Sequence, residues 1–580
     1  MVTLSVAHIP VFKNYKFHLK ISMSTNELRS NQNILQTPSS QPHGKVIVSC
    51  ASPWASHAAS EILKRGGSAA DAIVAAQSVL ALVEPHASGF GGGTVVVWHN
   101  TLSGESGVLD GLACAPGRVT SRLEVDFDGQ KIPRERVLTG GFTVGVPGTV
   151  RTLSLAHQRF GRLPWSNLFD RARELSEAGF LLPPYLVKTI NEIGPIQDEP
   201  LAKSVYCQGD RLTKPAGTLV KNPLFAATLK LIAEQGADAF YEDSEISKAL
   251  LAKVHQDTMP SHMTLQDLQS YRVVERETLK YTLGNQNVLT APAPVFGGLA
   301  VGQIMTILDI LGRSSEDPSS SAEQIHCIAE AGRMAFADRG AYVGDPDYSE
   351  IPQAQLIDRN YLQARAKLIN LEQRIADIHP GIPAPLLSPA SDGTGIASAM
   401  TSHLVVADAY GLCISMTTTI NQNFGSRLST GGFYLNNALT NFARMPQVGD
   451  QRISVNAMEP GKRPITSFAP SIVLDKQGQP LMLLGAGGGN RIVGFVTNAL
   501  LRMRSGKLNP QEILAAPQIL NWSGVTDIEP ALSHFVPALK QKGHWPLIRR
   551  MDGGTHAAIL NDGIWHGGAD TRRDGAAMGI

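Results

Sequence analysis

Cysteine is scarce in this chain, with five residues in 580, and the five are widely separated. No CxxC pair and no His/Cys cluster occurs. An odd number of distant cysteines argues against a disulfide framework, and the missing clusters argue against a zinc site. We therefore expect no metal and no cofactor, and we expect the cysteines to be small buried apolar side chains. They are Cys50, Cys114, Cys207, Cys327 and Cys413.

Excess charge and long apolar runs are lacking as well. The formal net charge is +1, and no Lys/Arg-rich stripe is available to neutralise phosphates, which argues against a nucleic-acid partner. No run of about 20 apolar residues occurs, so we expect no membrane span. Lys13, Lys16 and Lys20 interrupt the apolar start, which is not the order of a secretory signal. The expected localisation is cytoplasmic.

The first 44 residues are predicted to be a disordered extension, because residues 23–44 are strongly polar. Met23 is a candidate alternative start. Hydrophobic residues make up 43% of the chain, enough for a sizeable core in the remainder.

The ordered part begins with a predicted strand from Lys45 to Cys50, a helix in 57–67 ended by two glycines, and a second helix from Ala69 to Val83. The glycine cluster VEPHASGFGGG (83–93) follows a helix and precedes the strand TVVVW. A dinucleotide loop needs strand, glycines and then helix, so this order argues against nucleotide binding. It favours a tight turn with a close approach of two backbones.

A proline-, glycine- and serine-rich stretch, residues 379–400, is predicted to be a loop. Beyond it, SHLVVAD and LCISMTT are predicted to form two strands around a turn at Tyr410–Gly411. Further strands and two helices follow, which indicates a mixed α/β fold. The strand segments are PSIVLD, PLMLLGAG, AAIL and IWHGGA, and the helical segments are RIVGFVTNALLRMRSG and NPQEILAA.

The stretch TSHLVVADAYGLCISMTTTINQNFG (401–425) carries the most specific pattern, a Thr at the head of a strand followed by TTT-I-N and an F-G turn. Further blocks accompany it in order: GGFTVGVPGTV (140–150), APVFGGLAVGQIMTILDIL (293–311), AEAGRMAFADRGAYVGDPDY (329–348), KRPITSFAPSIV (462–473) and LGAGGGNRIVGFVTNALL (484–501). From about residue 45 to the C-terminus the chain resembles the γ-glutamyltranspeptidase family.

The resemblance implies that the chain cuts itself between Met400 and Thr401. The two products would be a large subunit, 45–400, which contains the loop 379–400, and a small subunit, 401–580. Thr401 would then be the nucleophile, and its freed α-amine, with a pKa near 8, would be the base. The implied fold is the four-layer αββα arrangement of N-terminal-nucleophile hydrolases.

Other site residues follow from the same resemblance. Gly488 and Gly489 match the backbone pair that forms the oxyanion hole, where each donor lowers a barrier by roughly 3 kcal/mol. Thr419 matches the residue that positions the nucleophile. The substrate-binding positions match Asn421, Thr466 and Ser467, the last two as a hydroxyl pair.

The chain departs from the family at the substrate head group. The place of the arginine that binds the α-carboxylate is Leu112, in VLDGLACAP. The place of the aspartate that binds the α-ammonium is Asn441, and the neighbouring polar position is Ala438. Loss of one partner of a buried ion pair costs about 3–5 kcal/mol. An Asn at this place resembles the cephalosporin-acylase branch, which implies a substrate acyl group without the ammonium, such as glutaryl or another small acid.

Three alternatives remain open. A true γ-glutamyltransferase or glutathione hydrolase would keep Thr401, and an uncleaved pseudoenzyme serving as a scaffold would not need it. An acyltransferase would share every residue named for a hydrolase and differ only in using an amine acceptor instead of water.

A carboxylate on the substrate has three candidate partners in the sequence, although arginines are more commonly surface charges. They are Arg427, Arg444 and Arg452.

Several histidines and one charged pair are interpreted as structural. Successive side chains of a strand point in opposite directions, so His403 points away from Ser402, the immediate neighbour of Thr401. His403 is interpreted as structural and not as the base. His86 and His556 lack a second metal ligand at a suitable spacing. Asp570 and Arg572 are predicted to form a buried ion pair.

Overall fold

The structure is a computed structural model, and it describes residues 40–119, 130, 132, 136–209, 212–383, 400–443, 447–448, 452–507, 509–522 and 524–580. All of these belong to one compact unit, Thr37–Ile580. The strands are β1 (His43–Gly44), β2 (Ile47–Cys50), β3 (Gly93–Asn100), β4 (Ser106–Gly111), β5 (Phe180–Leu181), β6 (Cys207–Gln208), β7 (Leu212–Thr213), β8 (Leu219–Val220), β9 (Val274–Arg276), β10 (Leu279–Leu283), β11 (Gln286–Thr290), β12 (Ser402–Ala407), β13 (Leu412–Thr419), β14 (Ser429–Thr430), β15 (Phe433–Tyr434), β16 (Gln447–Val448), β17 (Arg452–Ile453), β18 (Ser471–Leu474), β19 (Pro480–Ala486), β20 (Ile519–Asn521), β21 (Val525–Ile528), β22 (Trp545–Ile548), β23 (Thr555–Asn561), β24 (Ile564–Ala569) and β25 (Ala576–Gly579).

The helices are α1 (Pro53–Lys64), α2 (Ala69–Val83), α3 (Thr149–Phe160), α4 (Asp170–Ala178), α5 (Pro184–Ile193), α6 (Pro200–Val205), α7 (Pro223–Gln235), α8 (Asp238–Tyr241), α9 (Glu245–His255), α10 (Leu265–Ser270), α11 (Gly297–Ile310), α12 (Ala322–Tyr342), α13 (Gln353–Leu356), α14 (Arg359–Ala366), α15 (Arg491–Arg504), α16 (Pro510–Ala515) and α17 (Val536–Gln541). Within the described ranges, no helix is long and apolar enough to cross a bilayer.

Two seven-stranded sheets form the centre of the molecule. Sheet 1 has the order β25-β2-β12-β13-β3-β4-β9, and sheet 2 has the order β1-β24-β23-β19-β18-β11-β10. Every neighbouring pair in both sheets is antiparallel. β12 and β13 of sheet 1 pack on β19 of sheet 2, and one large apolar core joins the sheets.

Helices cover both outer faces. α1 and α2 lie against β2 and β12 of sheet 1, while α11 and α15 lie against β10 and β19 of sheet 2. Every residue of α2 is buried, which its alanine-rich sequence allows because small side chains permit close packing. A capping box starts α2: the Ser68 hydroxyl accepts from Asp71 N, and the Asp71 carboxylate accepts from Ser68 N.

The central strand β12 starts at Ser402 and is buried along its whole length, because α2 covers one face and sheet 2 covers the other. Its neighbours in sheet 1 come from both sides of residue 400: β2 precedes it by about 350 positions and β13 follows it at once. A cut at Met400–Thr401 would therefore leave two fragments that both contribute strands to sheet 1. The proposed subunit boundary itself stays a prediction.

The predicted secondary structure agrees closely with the observed elements. The helix Ala69–Val83 has the predicted bounds. The first helix is longer than predicted, because it begins at Pro53, a residue suited to the first helical position. The first strand begins at Ile47 instead of Lys45.

One prediction at the N-terminus was wrong for the residues that the structure describes. His43 and Gly44 were assigned to the disordered extension, but they form β1 and pair with β24. The carbonyl of Ile580 also accepts hydrogen bonds from Lys45 and Val46, so the C-terminus supplies backbone partners to this segment. Residues 1–39, and 384–399 of the predicted loop, lie outside the described residues.

Candidate active site

Thr401 stands one residue before β12, opposite the last residue of β13. The antiparallel register pairs Ser402 with Thr418, so Thr401 faces Thr419 one step further along. Thr401 is fully buried, and its Oγ1 donates to Thr419 Oγ1 at 3.3 Å. The sequence prediction that Thr419 positions Thr401 thus has a direct geometric counterpart.

The Thr419 hydroxyl is the hub of a small hydrogen-bond network. It accepts from Thr401 Oγ1 and from Asn421 N, the latter at 2.8 Å, and it donates its own proton to Met400 O at 2.7 Å. One hydroxyl has one proton to donate and two lone pairs, so all of its capacity is used. The network brings a candidate nucleophile and a polarised peptide carbonyl to the same atom.

Asn421 lies in a turn that the protein holds in an unusual conformation. Its φ is 78°, a left-handed value that a non-glycine residue rarely adopts. Its side-chain amide donates to Asn437 O at 3.0 Å and to Thr440 Oγ1 at 2.9 Å. Asn421 is therefore fixed beside Thr419, with its amide nitrogen already used by the protein.

The glycine run 487–489 approaches the Thr401 main chain closely. A Cβ on Gly487 would lie 2.0 Å from Thr401 O, so only glycine fits there. Gly488 and Gly489 have φ values of 121° and 63°. Their carbonyls accept from Arg491 and Ile492, which places them at the N-terminus of α15, where backbone N–H groups lack helical partners. Such groups are the donors an oxyanion hole needs.

The earlier glycine cluster also serves close packing. A Cβ on Gly92 would lie 2.1 Å from Thr419 O, and one on Gly91 would lie 2.3 Å from Tyr434 O. These glycines let the start of β3 pass against the end of β13. This agrees with the prediction of a close backbone approach.

The predicted hydroxyl pair, Thr466 and Ser467, lies between α11 and α15. Ser467 Oγ donates to Asn490 Oδ1 at 2.6 Å, and Asn490 follows directly after Gly489. Thr466 O accepts from Phe296 N at 2.7 Å, and the Thr466 side chain is partly exposed. Ser467 is thereby tied to the glycine turn at the N-terminus of α15.

The head-group positions carry no charge. Leu112 is 5% exposed and belongs to the large apolar core, and its carbonyl accepts from the Tyr271 hydroxyl at 2.8 Å. Asn441 ends a short 3₁₀ turn, Ala438–Asn441, and its carbonyl accepts from Asn456 Nδ2 at 2.8 Å. Leu112 N also donates to Asp110 Oδ1 at 3.2 Å. These hydrogen bonds use the main chain of Leu112 and Asn441 and not their side chains.

Arg573 is a residue that the sequence analysis missed. Its guanidinium is buried, donates through Nη1 to Thr401 O at 2.8 Å, and lies 3.6 Å from the Met400 sulfur through Nη2. The guanidinium also lies over the Tyr185 ring, 5.4 Å from its centre. The neighbouring Arg572 had drawn attention instead, and it pairs with Asp570 at 3.0 Å as predicted. Nothing in the RR pair indicated which arginine would reach Thr401.

A buried carboxyl is hydrogen-bonded to the next residue of the same segment. Ser402 Oγ donates to Glu84 Oε2 at 2.6 Å and accepts from Ser88 Oγ at 3.1 Å. Burial raises the pKa of Glu84 to about 7, although Arg573 and the Ser402 hydrogen bond favour its charged form. Glu84 was also missed, because a single Glu after a helix carries no sequence signal.

The histidines near the site are neutral. Burial lowers the pKa of His403 to about 3, and its Nδ1 is 2.9 Å from Thr417 Oγ1, away from Thr401. Burial likewise lowers the pKa of His86 to about 3 and holds that of His556 well below its usual range. In the described part of the chain no group of three or more His, Cys, Asp or Glu side chains is placed to hold a metal ion.

Of the three candidate arginines, only the side chain of Arg427 is described. It was expected to be a surface charge, but it is half-buried, with φ of 60°, and burial lowers its pKa. Its guanidinium has no ion-pair or hydrogen-bond partner within the described residues. Arg444 lies outside the described residues, and β17 contains Arg452.

The Gamma-glutamyltranspeptidase family model matches residues 55–580. The chain belongs to the gamma-glutamyltranspeptidase family. It is 30% identical to a glutathione hydrolase proenzyme of Bacillus subtilis (strain 168), over 92% of this chain and 91% of the relative.

A relative named as an acylase and a solved acylase structure also match the chain. The chain is 33% identical to an acylase ACY 1 proenzyme of Pseudomonas sp. (strain SE83), over 94% of both chains. The crystal structure of cephalosporin acylase from Bacillus halodurans superposes with a TM-score of 0.80 at 23% identity, covering 94% of this chain and 97% of that one. The chain is therefore about as similar in sequence to a relative named as a hydrolase as to a relative named as an acylase.

Proposed function

We propose that this chain is a self-processing amidohydrolase of its family, with Thr401 as nucleophile. The single observation that carries the proposal is the Thr419 hydroxyl, which links Thr401 Oγ1 to Met400 O. A hydrogen bond to Met400 O polarises the carbonyl that the neighbouring hydroxyl would attack. The word proenzyme in the names of the relatives supports self-processing.

Maturation would proceed in two steps. Thr401 Oγ1 attacks the Met400 carbonyl carbon, the Met400–Thr401 C–N bond breaks, and the hydroxyl proton passes to the leaving nitrogen. Water then hydrolyses the resulting ester, which gives a carboxylate at Met400 and a free amine and hydroxyl at Thr401. The mature enzyme would consist of two fragments of one precursor.

Turnover would repeat this chemistry on a small-molecule amide. Thr401 Oγ1 attacks the substrate carbonyl, the α-amine of Thr401 takes the hydroxyl proton and gives it to the leaving amine, and an acyl ester remains. The N–H groups of Gly488 and Gly489 would stabilise the oxyanion. Water, or an amine acceptor in a transfer reaction, then releases the acyl group.

The substrate acyl group is proposed to lack the glutamyl α-ammonium. Leu112 is apolar and buried, and Asn441 is neutral, so neither supplies a charge for an amino-acid head group. Arg427, half-buried and unpaired within the described residues, could bind the distal carboxylate of a glutaryl-like acid. The relative named as an acylase supports acylase chemistry, and the relative named as a glutathione hydrolase supports the alternative of a γ-glutamyl donor.

A pair of chromogenic anilides tests the substrate class. We expect glutaryl-p-nitroanilide to have a higher kcat/KM than γ-glutamyl-p-nitroanilide, by about 100-fold, because an unpaired buried ammonium costs about 3 kcal/mol. After rapid denaturation, the fragment that begins at Thr401 should carry the mass of the acyl group. A preference for the γ-glutamyl anilide would favour the glutathione-hydrolase alternative, and added glycylglycine separates transfer from hydrolysis.

A further inference from the structure

Two ionisable side chains, Arg573 and Glu84, are hydrogen-bonded to residues 401 and 402, where β12 begins. Arg573 reaches the carbonyl of Thr401, and Glu84 reaches the hydroxyl of Ser402. Both side chains are about 5% exposed, and neither belongs to the nucleophile and glycine machinery described above. We propose that Arg573 is a positioning residue that fixes the Thr401 main chain and, together with Glu84, sets the proton affinity of the freed Thr401 α-amine. This inference rests on the proposed function.

The hydrogen bond to the carbonyl fixes how far the guanidinium is from the amine. Covalent geometry keeps the Thr401 nitrogen within about 3.7 Å of its own carbonyl oxygen. The oxygen is 2.8 Å from Arg573 Nη1, so the positive charge lies within roughly 6.5 Å of the amine nitrogen. At the effective dielectric of protein sites, two like charges at this separation change a pKa by about one to two units.

The sign of the effect suits a general base. A fixed positive charge disfavours the ammonium form, so Arg573 lowers the pKa of the Thr401 amine and increases the fraction of neutral base near pH 7. An ordinary α-amine, with a pKa near 8, is mostly protonated there.

Glu84 acts in the opposite direction. As a carboxylate it favours the ammonium form of the amine, and as a neutral acid it has no such effect. Its pKa of about 7 means that it changes charge in the same pH range as the amine. We therefore expect the two groups to titrate as a coupled pair, and Arg573 also favours the charged form of Glu84.

Other titratable groups that face this segment are fixed in their charge state or held by other partners. His86, His403 and His556 are neutral because burial lowers their pKa values. Burial raises the pKa of Tyr185 to about 12, so it is neutral too. Asp574 accepts from Tyr185 N at 3.0 Å, and burial raises its pKa.

The geometry also predicts a change on maturation. In the uncut chain Arg573 Nη2 lies against the Met400 sulfur, on the other side of the bond that is cut. Once Met400 departs, this nitrogen no longer has its sulfur contact, whereas the bond from Nη1 to Thr401 O does not depend on Met400. Arg573 would thus hold the new N-terminus in place after the cut.

The test is the pKa of the Thr401 amine in the cut enzyme, measured in four variants. One readout is the acidic limb of kcat/KM against pH, with whichever of the two anilides the wild type hydrolyses. The second is the pH dependence of acetylation of the Thr401 amine by acetic anhydride, quantified by the mass of the N-terminal peptide. This second readout needs no turnover.

The variants have expected shifts of opposite sign. Arg573→Met should raise the amine pKa by about one unit or more, and Glu84→Gln should lower it. Arg573→Lys should leave it near the wild-type value. Lys188→Met is the matched control, because Lys188 also lies over the Tyr185 ring, at 5.5 Å, but is half-exposed and bonds to Asp552.

The outcomes separate this inference from the function on which it rests. A wild type that never cuts itself would overturn both. A cut Arg573→Met enzyme with an unshifted amine pKa would overturn the role of Arg573 and leave the nucleophile assignment intact. If Arg573→Met does not mature, the amine pKa in Glu84→Gln decides, and an unchanged value there contradicts the proposal.

Discussion

Removal of the Thr419 hydroxyl gives the sharpest prediction for self-cleavage. Thr419→Ala deletes the donor to Met400 O, which is 2.7 Å away, and the acceptor for Thr401 Oγ1 at 3.3 Å. It also leaves Asn421 N without its 2.8 Å partner. The same side chain thus supports the attacked carbonyl, the nucleophile and the adjacent turn.

The magnitude follows from these contacts. A lost donor to a carbonyl that gains negative charge raises a barrier by about 3 kcal/mol, so self-cleavage should slow by about 100-fold. The unpaired Asn421 N–H should cost about 1–3 kcal/mol of folding free energy. Thr419→Ser keeps the hydroxyl and should cleave within about tenfold of the wild type.

The assay is the rate at which freshly purified precursor yields the fragment that begins at Thr401, followed by intact mass. Thr418→Ala is the matched control, because Thr418 Oγ1 accepts from Thr94 Oγ1 at 2.9 Å and has no bond to Thr401. The control should lose stability and still cleave at the normal rate. Cleavage of Thr419→Ala as fast as the control would refute the reasoning.

The remaining predictions concern packing, specificity and pH. Gly487→Ala should prevent maturation and lower the melting temperature, because its Cβ would lie 2.0 Å from Thr401 O, whereas Gly89→Ala, with 3.8 Å to its nearest neighbour, should be tolerated. Arg427→Gln should raise KM for the glutaryl anilide about tenfold with little change in kcat, and should leave an acetyl anilide unaffected, since one lost charge contact costs about 1.4 kcal/mol. His403 has a folded pKa of about 3, below its unfolded value of about 6.5, so its contribution to stability is lost as pH falls through this window. Between pH 6.5 and 5 the unfolding free energy measured with urea should therefore fall by about 2 kcal/mol more in the wild type than in His403→Gln.

Much of the fold was predictable, because the segments that matter have strong local patterns. The alanine-rich run 69–83 begins with a capping box and ends just before Pro85, so its bounds were clear from the sequence. The strands on either side of Tyr410–Gly411 are short apolar runs around a turn. The order of strands in the sheets depends on contacts between distant segments, such as β2 with β12, which periodicity does not encode.

The candidate site was predictable where the residues form a long motif and unpredictable where single side chains meet in space. Thr401 and Thr419 were both assigned, and the strand register brings them together. Arg573 lies 172 positions from Thr401, and Glu84 lies 318 positions from Ser402. Charge and burial identify such residues only once the fold is known.

The most direct test of the account is the intact mass of the purified wild type beside Thr401→Ala, under denaturing conditions. The account predicts two wild-type fragments that meet at Met400–Thr401 and a single full-length Thr401→Ala chain. A wild type that remains one uncut chain would contradict the nucleophile assignment and favour the scaffold alternative. Cutting in both proteins would show that Thr401 is not the residue that breaks the bond.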